Sequence, residues 1–320
     1  VWVTWREATR RALYGDGGFY LRERPGRHFR TSVHASPAFA EAVLRLLGEV
    51  DEALGRPPAL DLVDVGAGDG ALAASVLALA PPELAGRLRV TAVDLSPRPD
   101  GLDGRVAWAP AVPDGVTGLI FANEWLDNVP VDVAELTPDG PHLVLVDPRT
   151  GEERLGPAPD ERDRAWLARW WPLRAAGDRA EIGRPRDEAW ASLFVRLARG
   201  TAVAADYAHP VDDRPPAGTL AGYRDGGAVR PVPDGSCDIT AHVALDACAA
   251  AGERAGARAT TLTTQRAALR RLGVTGARPP LALAHTDPLD YLRALRRASE
   301  EAELIDPAGL GRFGWLSQSR

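Results

Sequence analysis

The chain has 320 residues, 45% of them hydrophobic and 26% charged, with a formal net charge of -6, a balance that suits a large α/β domain with an ample core and excludes a mostly disordered chain. An acidic chain with no basic stripe is expected to bind neither nucleic acid nor an anionic membrane. Lys is absent, which excludes Schiff-base chemistry, and the two cysteines, Cys237 and Cys248, with six histidines at no paired spacing, predict neither a disulfide framework nor a metal site.

Residues 5–13 and 37–54 place apolar side chains at helical spacing around a Gly-rich aromatic loop, 14–36, which together make an N-terminal helical segment and substrate loop over 1–55. Residues 59–65, Ala-Leu-Asp-Leu-Val-Asp-Val, read as a strand; a glycine-rich turn follows, then a helix over 71–80 stopped by Pro81 and Pro82. Strand signals recur at 88–95, 105–109 and 118–122, separated by crossover segments as in a parallel sheet. Residues 131–136 and 142–146 flank Pro138-Asp139-Gly140-Pro141 and predict an inserted hairpin. These close the first half of the core, 56–147.

An insertion rich in Pro, Arg and Trp, 148–186, comes next, with 151–163 the candidate for a mobile linker. The second half, 187–320, opens with a helix over 187–198 and a strand over 201–206. Residues 207–240 have the length and the Gly and Pro content of a lid loop. Helices over 241–255, 265–272 and 288–303 and strands over 257–263 and 312–316 complete an α/β, Rossmann-like fold whose sheet is expected to be seven-stranded and mostly parallel. No apolar run is long enough to span a membrane and the opening residues lack a signal-peptide layout, so a cytoplasmic protein is expected.

Asp64-Val65-Gly66-Ala67-Gly68-Asp69-Gly70 lies where the first strand hands over to the first helix, so backbone without side chains can approach a ligand at the helix N-terminus. Gly66, Gly68 and Ala71 also satisfy the GxGxxA spacing of a nicotinamide dinucleotide fingerprint, and a tight turn with no ligand has the same letters. The acid two residues before the first glycine, and the third glycine at 70, favour a loop around a zwitterionic amino acid, because a pyrophosphate disfavours a neighbouring carboxylate. Asp94, ending the second strand, is placed for both hydroxyls of a ribose, with Leu95 beside it. Trp108 is a candidate for stacking on adenine or for the core. The cofactor expected is S-adenosylmethionine, on a class I methyltransferase core. Asn123 and Glu124 follow the fourth strand, at the edge where open α/β sheets bind ligands. The same run also reads as a loop whose Asp127 caps a turn.

The chain resembles the MidA-like methyltransferases. The resemblance is carried by Gly18-Phe19-Tyr20, by His28-Phe29-Arg30-Thr31-Ser32, by the glycine loop, by Asp94-Leu95-Ser96-Pro97, and most specifically by Asn123-Glu124-Trp125-Leu126-Asp127-Asn128-Val129-Pro130. Asp206-Tyr207-Ala208-His209, Asp238-Ile239-Thr240, Gln265 and Arg312-Phe313 extend it. His28, Ala221 and Gly226 depart from the family pattern, all on the substrate side. A mitochondrial member of the family assists assembly of respiratory complex I and is regarded as a protein arginine methyltransferase. The resemblance therefore implies transfer of a methyl group to an arginine of a protein or peptide, with a diverged acceptor or a silent cofactor-binding assembly factor as alternatives; a homodimer is left open.

An arginine acceptor needs carboxylates to hold its guanidinium and take its proton. Glu124 is the first candidate, oriented by Asn123, which also borders the cofactor. Asp127 is the second, and Glu181 and Asp206 are more distant ones. On the substrate side the resemblance marks Phe19, Tyr20, Phe29, Thr31, Ser32 and Tyr207. His209 and His242 read as hydrogen-bonding partners ahead of bases.

Overall fold

The computed structural model describes residues 1–22 and 31–320, so Phe29, with His28 and Arg30, lies outside the described residues. Seven strands form the main sheet: β1 (Leu60–Val65), β2 (Leu88–Val93), β3 (Val106–Ala109), β4 (Val116–Asn123), β5 (Leu197–Asp206), β6 (Ala259–Thr264) and β7 (Gly314–Ser319). Their order is β6-β7-β5-β4-β1-β2-β3. Pairings from β5 to β3 are parallel, whereas β7 is antiparallel to both β5 and β6. The sheet expected to be mostly parallel is thus a large mixed one. The chain leaves β6 at Thr264 and re-enters the sheet beside it at Gly314, so the final strand runs back antiparallel, and its backbone pairs on both sides.

The central strands are apolar on both faces because helices cover both. Alternation splits their side chains: Leu62 and Phe121 go to one core with Phe39, Leu47, Leu269 and Trp315, while Val63 and Ile120 go to the other with Trp190, Phe194 and Leu316. Each large side chain so buried contributes roughly 1.5–3 kcal/mol. Helix Pro37–Ala53 covers the first face, its start fixed by Ser36, whose hydroxyl accepts the Ala38 N–H, and by Pro37 in the first turn. Helices Arg184–Arg196 and Leu245–Arg254 cover the second.

The hairpin over Asp132–Thr137 and Gly140–Val146 is present, but it builds a separate sheet with Val3–Thr4, Arg179–Ile182 and Glu153–Leu155. Residues 151–163, expected as a linker, instead supply that last strand and the start of helix Glu161–Trp170. Within 207–240, Ala221–Arg224 pairs with Gly227–Val229 and Asp238–Thr240 in a third small sheet. Among the described residues no helix is long and apolar enough to cross a membrane, and no cluster of three or more metal-ligating side chains occurs.

Candidate active site

A cavity of about 1010 Å³ opens at the carboxyl ends of β1, β2 and β4. At one end of it the chain leaves β1 through Gly66, Gly68 and Gly70, all with left-handed φ, of 73°, 59° and 76°. Only glycine takes that conformation without strain. A Cβ on Gly66 would fall 2.8 Å from Trp125 Cδ1, while one on Gly68 would meet nothing within 4 Å. Gly68 thus leaves bare backbone facing open space. Asp94 ties this turn to β2: Oδ2 accepts the Gly68 N–H at 2.8 Å, and Oδ1 accepts from the Ser96 N–H and hydroxyl at 2.8 and 2.7 Å.

Asp64 is buried beneath the turn. Burial, opposed by a hydrogen bond from the Ala73 backbone, pushes its carboxyl up to about 7, and its Oδ2 has no hydrogen-bond partner within the described residues. Asn123 Oδ1 is likewise buried and without a donor. Two enclosed acceptors lacking donors carry a desolvation penalty that a bound donor would relieve.

The other end of the cavity is built around the turn after β4. Glu124 adopts φ 51°, rare for a side chain of its size, and its N–H donates to Ala205 O at 2.8 Å. Its Oε1 accepts from Ser32 N–H and Asn123 Nδ2, both at 2.9 Å, and Oε2 accepts no hydrogen bond within the described residues. Burial pushes this carboxyl up to about 7, against the lowering by Ser32 and Asn123. Asp127, on a short 3-10 helix over Leu126–Asn128, accepts from Thr240 Oγ1 at 3.0 Å and Asn128 Nδ2 at 2.9 Å. Its carboxyl is also raised by burial, with the Arg186 guanidinium pulling the other way. Tyr20 places its hydroxyl 2.7 Å from both Asp238 Oδ1 and Asn128 Oδ1.

Two fully enclosed charges hold that turn in place. Asp206 Oδ2 collects three successive amides, Trp125, Leu126 and Asp127, at 3.2, 2.8 and 3.3 Å, and Oδ1 takes the Tyr207 N–H. Burial raises the Asp206 pKa well above the usual carboxylate range; the four amides favour the anion. Arg186 donates to three backbone carbonyls, those of Asp127, Val129 and His242, and burial lowers its pKa. Spent on carbonyls, the Arg186 guanidinium forms no ion pair with Glu124 or Asp127.

Of the residues marked by sequence, Asp64, Gly66, Ala67, Gly68, Asp94, Leu95, Asn123, Glu124, Asp127, Tyr20, Thr31 and Tyr207 line this cavity. Gly70 stands behind it, where a Cβ would fall 2.9 Å from Leu102. Trp108 does not line it: its indole N–H donates to Ser96 O at 3.0 Å and the ring packs against the first core, so Leu95, Ala111 and Val112 form that wall. Asp206 and Glu181 are anchors, not acceptor clamps. Glu181 spends Oε1 on Thr219 and Leu220 N–H and Oε2 on the Thr219 hydroxyl. Phe19 is buried edge-on to Tyr20, and Ser32 reaches the site through its backbone N–H, its hydroxyl being paired with Gln265. His209 is turned away too, between Trp171 and Arg214, and burial lowers its pKa to about 3. Sequence reading missed Tyr14, whose hydroxyl donates to Asn128 O, and His34, which bridges Thr31 and Asp69. Neither has a local sequence signal tying it to the site, since Asn128 is remote from Tyr14 and Asp69 stands on another loop from His34.

Residues 43–263 match the model of a family described as "Putative S-adenosyl-L-methionine-dependent methyltransferase". The chain belongs to that family. It is an S-adenosylmethionine-dependent methyltransferase, and the donorless Asp64 Oδ2 and Asn123 Oδ1 beside the open face of Gly68 fit a cofactor that carries an ammonium group. A Burkholderia thailandensis protein, described as a "likely methyl transferase" and crystallised with S-adenosyl-homocysteine, is 29% identical over 100% of this chain and 88% of its own, with a TM-score of 0.84. The native structure of an uncharacterized protein of the same superfamily and organism aligns at 29% identity over 100% of this chain and 87% of its own, with a TM-score of 0.81. No curated protein matches the chain.

Proposed function

We propose that the methyl acceptor is an arginine guanidinium of a protein or peptide, and that the chain is a MidA-like enzyme with a class I core. The strand order with antiparallel β7 next to the edge supports the class I assignment. The observation that carries the acceptor is Glu124: a carboxylate held at positive φ, anchored through Oε1 and, among the described residues, unpartnered at Oε2, with Asp127 on the same wall. Glu124 and Asp127, which form no ion pair with a cation among the described residues, attract a cationic acceptor, and the tyrosines Tyr20, Tyr207 and Tyr223 of the same end give it aromatic faces.

When bound, the cofactor supplies an activated methyl group for in-line displacement. On this reading Asp94 holds the ribose, Asp64 and Asn123 Oδ1 hold the amino-acid ammonium, and the bare backbone at Gly66 to Gly68 lets the cofactor lie close. Glu124 Oε2 and Asp127 fix the guanidinium as a fork and draw its positive charge away from the attacking nitrogen. Glu124 Oε2 then takes the proton that nitrogen must lose, which a carboxyl poised near neutral pH does efficiently. Incubating the protein with methyl-labelled cofactor and a cell extract, followed by mapping of the modified residue, tests this. Methylarginine in a protein is the expected product. Label confined to small amines would move the reading to a small-molecule acceptor, and binding of the cofactor with no label anywhere would leave a silent assembly factor.

A further inference from the structure

Between β6 and β7 the chain makes a short helix, Leu281–Thr286, that runs after one residue into a long one, Pro288–Leu304. The long helix is anchored only by its second half: Ala298, Glu301 and Leu304 are its buried residues, and the Arg297 guanidinium pairs with Glu41 and Glu301. No residue from 275 to 297 is buried. Yet this stretch is not polar. Leu281, Leu289 and Leu292 are 73%, 67% and 60% exposed, and Leu289 and Leu292 lie one turn apart on one face. A six-residue helix cannot sustain itself in water, and helices in proteins owe most of their stability to packing of an apolar face.

The charges along the long helix say what covers that face. Its first turn is acidic, with Asp287 and Asp290, and its next turns are basic, with Arg293 and Arg296. Among the described residues these charges meet only neighbours along the helix, Asp290 pairing with Arg293 and Arg296 with Glu300, largely exposed pairs of little value. A second copy laid antiparallel about a two-fold axis near Leu292 brings each acidic turn against the basic turn of the other and Leu289 and Leu292 against their counterparts. A parallel copy would set like charges together. A basic partner is repelled by Arg293 and Arg296, and an acidic one by Asp287 and Asp290. We propose that this segment is the isologous interface of a homodimer, formed by antiparallel packing of the Pro288–Leu304 helices of two chains.

Sedimentation equilibrium of the full chain over a range of concentrations tests the proposal. The unaltered chain should dimerise, and Leu289→Glu with Leu292→Glu should weaken dimerisation by about 100-fold or more. S-adenosyl-homocysteine affinity should be unchanged in that variant, which shows that the fold survives. Asp290→Arg alone and the pair Arg293→Asp with Arg296→Asp should each yield monomers. Mixing those two variants should restore a heterodimer. A chain that stays monomeric at every concentration, whatever else covers the segment, overturns the proposal, as does a dimer indifferent to the leucine changes or two charge variants that fail to associate when mixed.

Discussion

At the glycine-loop end of the cavity, the turn over 64–70 is tied to the adjacent strand end, 93–96, which the sheet already holds beside it. At the acceptor end, Tyr14, Tyr20, Ser32, Glu124, Asp206, Asp238 and Thr240 arrive from five separate stretches of chain and are held by buried charges. The first end inherits its geometry from the sheet; the second has to be assembled. An enzyme built this way can change its acceptor while keeping its cofactor, because alterations in the assembled end leave the strand ends untouched.

The sharpest test of this division is Glu124→Gln. Transfer should fall roughly 10²- to 10⁴-fold, since a positioned proton acceptor is lost, while calorimetric affinity for S-adenosyl-homocysteine stays within about threefold. In the unaltered enzyme, transfer should rise as pH climbs through about 7, where Glu124 ionises. Stability runs the other way. A carboxyl whose folded pKa is raised keeps its proton while the unfolded chain releases it, so its contribution is full below the unfolded pKa of about 4.3 and is lost as pH rises through the folded value. Denaturant titrations at pH 8 should therefore find the Gln variant more stable, by roughly 2 kcal/mol. Equal stability across pH 5–8 would show that Glu124 is ionised throughout.

Asp206→Ala should cost about 3 kcal/mol of stability, because four amides lose one enclosed acceptor. Asp206→Asn should cost less, since one amide oxygen remains to accept. The role of Asp206 was illegible in sequence for a physical reason. Its letters fit a carboxylate that grips an acceptor, and only the long-range approach of residues 125–127 reveals that its lone pairs are already used. Glu181 is the same case, committed to 219–220, which sequence leaves as an unstructured loop. By contrast, the turn after β1 and the acid after β2 were readable, because a strand, three glycines and a helix form a local pattern. Trp108 sits within that readable region, but the direction of its ring depends on Ser96 O, and a rotamer is not a pattern of letters.

Asp94→Ala should lower S-adenosyl-homocysteine affinity by about 30-fold or more, through lost ribose contacts and a loosened turn. Asp127→Asn should leave that affinity unchanged. If both variants weaken binding alike, the two ends of the cavity are one unit and the division above fails.

The smallest expected effect concerns a side chain that spans both ends. His34, from the acceptor-side segment, places Nε2 3.0 Å from Oδ2 of Asp69 in the glycine loop and Nδ1 2.7 Å from Thr31 Oγ1. The hydrogen bond to Asp69 raises the His34 pKa above its usual value and lowers that of Asp69. Because the folded pKa of His34 is raised, the pair's stabilisation is full below the unfolded value of about 6.5 and is lost as pH rises through the folded one. The two side chains are 35% and 37% exposed, so water screens the attraction and its contribution should stay below about 1 kcal/mol. His34→Ala should then be less stable than the unaltered chain at pH 5.5, and the two unfolding curves should converge by pH 8.5. A deficit that persists unchanged across that range would mean that His34 acts by packing, and that nothing electrostatic joins the assembled end of the cavity to the inherited one.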